Sequence, residues 1–263
     1  VTLLADIPQL TDILLYHVVG DSLISDSLFN GQIITTLNGS DVTVTIDPSG
    51  VYINNAQVTV TDILASNGLV HVIDAVLLPT IYDVVAASND HTTLKVAIDT
   101  CGLDVALSSA GSKTLFAPTD AAFSLLPAGT ITALLADIPQ LTDILLYHVV
   151  GDSILAGDLT NGQIMTTLNG ADVTVTIDPS GVYINNAKIS VINTIASNGV
   201  VHVIDAVLLP TIYDVVSTSN DHTTLETAID AYGLDAALSS AGSKTLFAPT
   251  DAAFSLLPAG QLT

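Results

Sequence analysis

Apolar positions along this chain follow two spacings, one helical and one of period two, and the two occur in separate blocks. In residues 131–150, Leu134, Leu135, Ile138, Leu141, Ile144 and Leu145 recur three or four apart, which predicts the longest helix, with Pro139 placed to split it. Residues 80–99 read as two shorter helices. Ile81, Val84 and Val85 line the first; Ser88-Asn89-Asp90-His91 interrupts; Thr92 or Thr93 caps the second, which carries Leu94, Ala97 and Ile98. Gly102 is placed as the C-terminal cap, and residues 103–107 add a short apolar turn.

Strand patterns fill the rest. Lys113-Thr-Leu-Phe-Ala117 predicts a buried strand, after which Pro118-Thr119-Asp120 opens a helix. Thr119 is its N-cap, and Asp120 lies at the positive end of its dipole. Residues 163–168 read as a strand. Residues 172–177 alternate Val and Thr, and Asp178-Pro-Ser-Gly181 turns the chain into a partner strand from Val182, a β-hairpin. Residues 188–192 extend the sheet. The stretch Asn198-Gly-Val-Val-His-Val-Ile-Asp-Ala-Val-Leu-Leu-Pro210 reads as a buried strand that completes it, with turn residues at both ends. Helices first and strands afterwards indicate the α+β class.

That closing stretch also occurs at residues 67–79 with one change, so the pattern is a tandem repeat. A shift of 131 residues superposes 132 positions, of which 27 differ, clustered at 23–29 and 57–64. The repeat starts out of phase. Residues 1–79 correspond to the later part of a unit, 80–210 to a complete unit and 211–263 to the opening part of the next. The two partial units add up to one. This predicts either a window of a longer array or a subunit whose tail completes the next subunit's head.

Composition narrows the partners. The formal charge is −22, and its origin is a shortage of cations: four Lys and no Arg against 26 acidic residues. Charged residues make up 11% of the chain, where ~25% is usual. Thr, Ser, Asn, Gly and Ala must therefore cover the surface. Nucleic acid and anionic membrane surfaces are excluded as partners by this balance. No apolar run reaches the ~18 residues of a membrane span. Cys101 is the single cysteine; Tyr232 occupies its place in the next repeat, so a buried small hydrophobe is the reading.

Chemistry-bearing residues are few. The six His form three repeated pairs, His17/His148, His71/His202 and His91/His222. His148 ends an apolar helix and His202 sits in an apolar strand, as hydrogen-bonded core residues do. Asp205, three residues beyond His202, faces the other side of a regular strand. No Gly-x-Ser-x-Gly nucleophile turn is present, and Asn89-Asp90-His91 matches neither EF-hand nor zinc spacing, which leaves calcium as a weak option and no cofactor.

Three ordered segments carry a family resemblance. Thr114-Leu-Phe-Ala-Pro-Thr-Asp-Ala-Ala-Phe123 resembles the first signature motif of the fasciclin domain, Leu146-Tyr147-His148-Val149 its central Tyr-His motif, and residues 198–210 its second signature motif. The resemblance covers the whole chain. It implies a wedge of two β-sheets flanked by helices, an extracellular or surface-attached location, adhesion or matrix roles, and no enzymatic activity. It also implies adhesive roles for the Tyr-His motif, at Tyr16-His17 and Tyr147-His148, and for an Asp-Ile element, here Asp62-Ile63. The second copy of that element departs from the pattern, with Asn193-Thr194. The expected function is a structural protein whose units assemble head-to-tail with copies of themselves into a filament. The alternative is a cell-surface adhesin binding a receptor or glycan through individual units.

Overall fold

The computed structural model describes residues 7–240 and 242–258. Residues 80–210 begin with α2 (Ile81–Ala87), preceded in the chain by α1 (Ile7–Tyr16). Thr80 caps α2 through a reciprocal box: its hydroxyl accepts from the Asp83 N–H while the Asp83 carboxylate accepts from the Thr80 N–H. Helix α3 (Thr92–Cys101) follows the predicted break and ends on Gly102 at φ 64°, a left-handed cap that suits glycine. Neither Thr92 nor Thr93 caps α3 as expected. The preceding residue is His91, which makes no cap bond, and the open N–H groups of Thr92 and Thr93 are met by Asp120 from another helix. A local cap was unnecessary because the tertiary fold supplied a carboxylate.

Asp120 begins α5 (Asp120–Ser124), which Thr119 caps as expected, so one residue serves two helix N-termini. Burial alone would raise its pKa, but bonds from Thr92 and Thr93 outweigh this and lower it to about 2. The short turn at 103–107 is α4 (Asp104–Ser108). The long helical run divides at Asp137 into α6 (Thr130–Ala136) and α7 (Ile138–Tyr147), with Pro139 in the first turn of α7, where its missing N–H has no ladder partner to lose.

Residues 80–210 contribute a seven-strand order, β7-β6-β12-β11-β10-β9-β8. Its members are β6 (Lys113–Pro118), β7 (Val149–Val150), β8 (Ile164–Thr166), β9 (Asp172–Asp178), β10 (Gly181–Ile184), β11 (Ala187–Ala196) and β12 (Gly199–Ile204). The hairpin of β9 and β10 turns at Asp178, whose carboxylate accepts from the N–H groups of Ser180 and Gly181. Two register shifts in β11 separate the hairpin from the ladder of β11, β12 and β6. Val150 bridges Thr167, which brings the two ends of the order together. The α+β class holds, with sheets of five and seven strands among the described residues.

The extent expected for the 198–210 strand is corrected. The strand covers only Gly199–Ile204, because its last partner is Pro118, which has no N–H to continue a ladder, and Asp205 then turns to accept from the Lys188 N–H. The strand's buried character holds. It is a central strand, antiparallel to β11 and parallel to β6. The other strand bounds moved similarly: 163–168 contracts to Ile164–Thr166, and 188–192 lengthens to Ala187–Ala196.

Two apolar cores result. One lies between helices and ladder, around Ile81, Leu94, Ile98, Leu115, Leu145 and Val201; the other lies inside the strands, around Phe116, Tyr147, Val173, Val175, Ile184 and Leu208. Cys101 packs on the rim of the first, half-buried. Asn198 joins helices to sheet. Its Oδ1 accepts from the Ile81 N–H, and its Nδ2 donates to the carbonyls of Leu107 and Ser109 at 2.6 and 2.9 Å; the bonds to Ile81 and Leu107 are buried. His148 joins the cores at the end of α7: Nδ1 donates to the Ile144 carbonyl, so Nε2 is left to accept from the Leu208 N–H. No helix among the described residues is long and apolar enough to cross a membrane.

Asn198→Ala should cost about 2 kcal/mol in urea unfolding, since two buried backbone groups, the Ile81 N–H and the Leu107 carbonyl, lose their partner at about 1 kcal/mol each. Acid should act through His148 before it acts through carboxylates. Burial lowers its pKa from 6.5 to about 4, so the unfolded chain binds a proton that the folded chain refuses. Stability is complete above pH 6.5 and falls as pH drops toward 4, by up to about 3 kcal/mol. The carboxylate of Asp120 follows only between 3.8 and about 2. Urea midpoints measured from pH 7.5 to 4.5 should decline in wild type.

Candidate functional site: an unpaired sheet edge

The same sequence appears here in two environments. Residues 7–79 form α1 and a five-strand antiparallel order of β1 (Ile33–Thr35), β2 (Asp41–Asp47), β3 (Gly50–Ile53), β4 (Ala56–Ala65) and β5 (Gly68–Ile73). These repeat β8 to β12. The order stops at β5, where the central unit adds β6 in parallel through six residue pairs, from Gly199↔Lys113 to Ile204↔Pro118. The free edge of β5 is therefore a row of unpaired backbone groups.

Side chains along this edge are uncovered in step. Val70 is 49% exposed where its copy Val201 is 1%, and Leu14 is 57% where Leu145 is 5%. The most informative position is Phe116, which is fully buried and stacks on His202 with ring centroids 5.8 Å apart. Its surroundings include Tyr147 and Ile184. In residues 7–79 the copies of these residues, Tyr16, Ile53 and His71, line an open groove of about 400 Å³.

The matching piece lies at the other end of the chain. Residues 244–249 repeat the Lys-Thr-Leu-Phe-Ala-Pro of β6, yet they form no strand. Phe247, the copy of Phe116, is 90% exposed. Helices α8 (Ile212–Ser217), α9 (Thr223–Ala231), α10 (Asp235–Ser239) and α11 (Asp251–Phe254) do form before and after it. Asp251 spans the N-termini of α9 and α11 as Asp120 does in the central unit; the N–H of Thr224 contributes most to holding its pKa near 2.

Gly199 explains why the edge needs glycine. It has φ 153°, and a Cβ there would stand 1.9 Å from the Lys113 carbonyl oxygen. Gly68, its copy on the open edge, has only Ser22 Oγ near, at 3.9 Å. Sequence reasoning passed over Gly68, Asn198 and Phe247. The signal available for Gly68 and Phe247 was the repeat phase itself, which leaves each of them without the neighbour its copy has.

The residues expected to be adhesive serve structural bonds. Tyr16 donates to the Asp41 carbonyl and accepts from Asn54 Nδ2, and Tyr147 does the same with Asp172 and Asn185. Burial, joined by nearby carboxylates, pushes both phenols up to about 12. His17 ties the end of α1 to the Leu77 N–H, as His148 does for Leu208, but it is exposed on the open side. Asp62 stands at φ 59° in the β4 bulge, where its carboxylate accepts from the N–H and hydroxyl of Ser25; those bonds lower its pKa. Asn193 takes the same conformation at φ 58° and accepts from the Ala156 N–H. Asp and Asn are the residues that tolerate this conformation, so the departure between copies preserves the bulge. Ile63 is exposed beside it. Among the described residues no hydrogen bond joins Tyr16-His17 to Asp62-Ile63. His71 stands between them, accepting from the Asp62 N–H and lining the same groove as Tyr16.

Of the remaining polar candidates, His202 has both ring nitrogens satisfied and His91 has Nδ1 satisfied. His202 accepts from the Asn193 N–H and donates to the Ile154 carbonyl, with no bond to Asp205. His91 pairs with Ser88 Oγ. No group of three or more His, Cys, Asp or Glu side chains converges as a metal site among the described residues.

Comparison with known proteins is consistent along the chain. The fasciclin domain model matches residues 1–79, 89–210 and 220–263. Human periostin is 31% identical over 255 residues, covering 94% of this chain and 30% of periostin. The transforming growth factor-beta-induced protein ig-h3 of Sus scrofa is 30% identical over 259 residues, with 94% and 37% covered. Protein sll1483 of Synechocystis is 41% identical over 133 residues, half of this chain and 73% of that protein. The chain thus spans about a third of the two longer relatives. Among solved structures, the FAS1 domain pair of the insect cell adhesion molecule Fasciclin I aligns with TM-score 0.47 at 21% identity, over 80% of this chain and 83% of that one.

Asp62→Asn should leave the urea midpoint within about 0.5 kcal/mol of wild type, because the second copy already uses Asn. Asp62→Val should cost about 2 kcal/mol, from a β-branched residue at positive φ and the loss of the Ser25 bonds.

Proposed function

Because the chain belongs to the fasciclin domain family, we propose that it is a structural extracellular protein of the adhesion and matrix kind whose units assemble head-to-tail into a filament. Residues 211–258 of one copy complete residues 7–79 of the next, with residues 80–210 as the self-sufficient unit between. One observation carries this reading: Phe247 is 90% exposed while the groove that would receive it, around Tyr16 and His71, stands open on the same molecule. The docked arrangement already exists once, as Phe116 against His202.

The interaction is strand addition to a sheet edge, with backbone bonds for affinity and a side-chain pocket for register. By the register of β6 on β12, Lys244 lies opposite Gly68 and Phe247 opposite His71. A contact between one face and a different face propagates from copy to copy, giving a fibre wherever its rotation does not close a ring. The contact surfaces are mostly apolar, whereas the whole chain carries −22, so salt should favour assembly by screening repulsion between copies. The adhesin alternative has support in exposed Ile63, but the neighbouring Asp62 carboxylate is taken up by Ser25.

Sedimentation and electron microscopy of purified chain in 150 mM and 500 mM salt test the proposal. Filaments or concentration-dependent oligomers are expected, increasing with salt. Gly68→Ala should stop assembly while leaving the unfolding of residues 80–210 unchanged, since a Cβ there meets the docking backbone. Phe247→Ala should weaken association about a hundredfold or more, at about 3 kcal/mol for an aromatic leaving a filled pocket. A wild-type chain that stays monomeric at high concentration sinks the head-to-tail reading. Material longer than 263 residues in denaturant would instead make the joined segment covalent.

A further inference from the structure

Residues 7–79 and 80–210 meet in a joint that the chain begins to repeat after residue 210. At the first joint, α1 shares a cleft with two parts of the following unit. One is α2, through Val84 and Val85; the other is the bulged part of β11, through Val191, Thr194 and Ile195. The direct bond is at the bulge, where Gln9 Nε2 donates to the Asn193 carbonyl at 3.1 Å. Asn193 stands in the register shift between Val191 and Thr194, where no residue of β12 pairs with it.

The second joint follows the first as far as the chain goes. α7 has the ten-residue sequence of α1, so Gln140 takes the place of Gln9. The linkers match too, since Thr211 and Asp214 form the same capping box as Thr80 and Asp83. Burial raises the phenols of Tyr16 and Tyr147, and the carboxylates of Asp83 and Asp214 respectively add to it, so each linker leaves its unit beside the same Tyr. The α8 side of the joint is formed: a Cβ on Gly170 would lie 3.6 Å from Thr218 Cγ2, at the end of α8. The β11 side belongs to a part of the repeat that lies beyond residue 263 in phase. Gln140 is accordingly exposed where Gln9 is half-buried, and its side-chain amide has no hydrogen bond among the described residues.

The missing surface is present at the other end of the molecule. The copy of Asn193 is Asp62, at φ 59° against 58°, in the matching shift between Val60 and Ile63. Around it Ile63 is 45% exposed and Leu64 is 83% exposed. We infer that assembly makes a second contact besides strand addition: Gln140 Nε2–H of one copy donates to the Asp62 carbonyl of the next, and Ile63 and Leu64 of that copy lie beside α7. This rests on the head-to-tail reading and extends it, because docking residues 244–249 on β5 brings β4 of the incoming copy to the place that β11 has at the first joint. The change from Asn193 to Asp62 leaves the contact intact. It uses the backbone oxygen, while the Asp62 carboxylate is held by Ser25. The Asp-Ile element is then covered along a fibre and reachable only at the end whose residues 7–79 are uncompleted.

Cross-linking of the full chain tests this. In a Cys101→Ser background, Gln140→Cys with Ile63→Cys places one thiol on each side of the contact between copies. Gln9→Cys with Thr194→Cys does the same at the joint within one chain. Bismaleimidoethane is added after assembly at high salt, each sample is imaged by electron microscopy, and products are separated in denaturant. The first pair should give a series of covalent multimers, and the second a monomer bridged between residues 9 and 194. Filaments whose first pair stays monomeric while the second closes would overturn the contact and leave strand addition standing. Absence of filaments would overturn both. Gln140→Ala should raise the concentration needed for assembly about fivefold, the share of one hydrogen bond, and an unchanged value would overturn that bond.

Discussion

Six residue pairs between two parallel strands hold the central unit together, and everything distinctive about this chain depends on them. β6 comes from the opening part of the repeat and β12 from its end, so their pairing joins residues more than 80 positions apart. It places Phe116 over His202 and lets Asn198 reach the start of α2 and the carbonyls of Leu107 and Ser109. It also requires a glycine at 199, where the two backbones nearly touch. Helix core and strand core meet along this line, and neither is sealed without it.

The two partial units serve as an internal control. Residues 244–249 have the sequence of β6 and no strand, while β5 has nearly the sequence of β12 and no parallel neighbour. β-propensity in Leu and Phe is therefore not what makes β6 a strand; a waiting edge is. Helices behave otherwise. α8 keeps the capping box of α2, Thr211 with Asp214, and Asp251 keeps its grip on Thr223 and Thr224, because those bonds join neighbouring segments of one partial unit.

Residues that resemble chemistry turn out to be joints. The Tyr-His motif pins the end of a helix to the hairpin through a phenol and to the chain after β12 through an imidazole. The Asp-Ile element supplies a left-handed bulge residue. Each has its bonding capacity used by the fold, which is the usual fate of buried polar groups. Among the described residues, Ser40 Oγ and His91 Nε2 are the buried side-chain atoms that lack a partner. The acidic surface follows the same economy: with few cations, carboxylates accept from hydroxyls and backbone N–H groups, as Asp47, Asp120 and Asp178 do.

Periodicity and capping residues by themselves determined the helices, the Asp178 hairpin, the α+β class and the 131-residue repeat, because each rests on contacts within a few residues or on identity along the chain. The family was legible in three motifs for the same reason. Only the tertiary structure decided that β12 is central, that Asp120 serves α3 in place of Thr92 or Thr93, and that Gly68 and Phe247 face no partner strand. Those features depend on which separate segments meet, or fail to meet, and a hydrophobic pattern records only that a face needs covering, not what covers it.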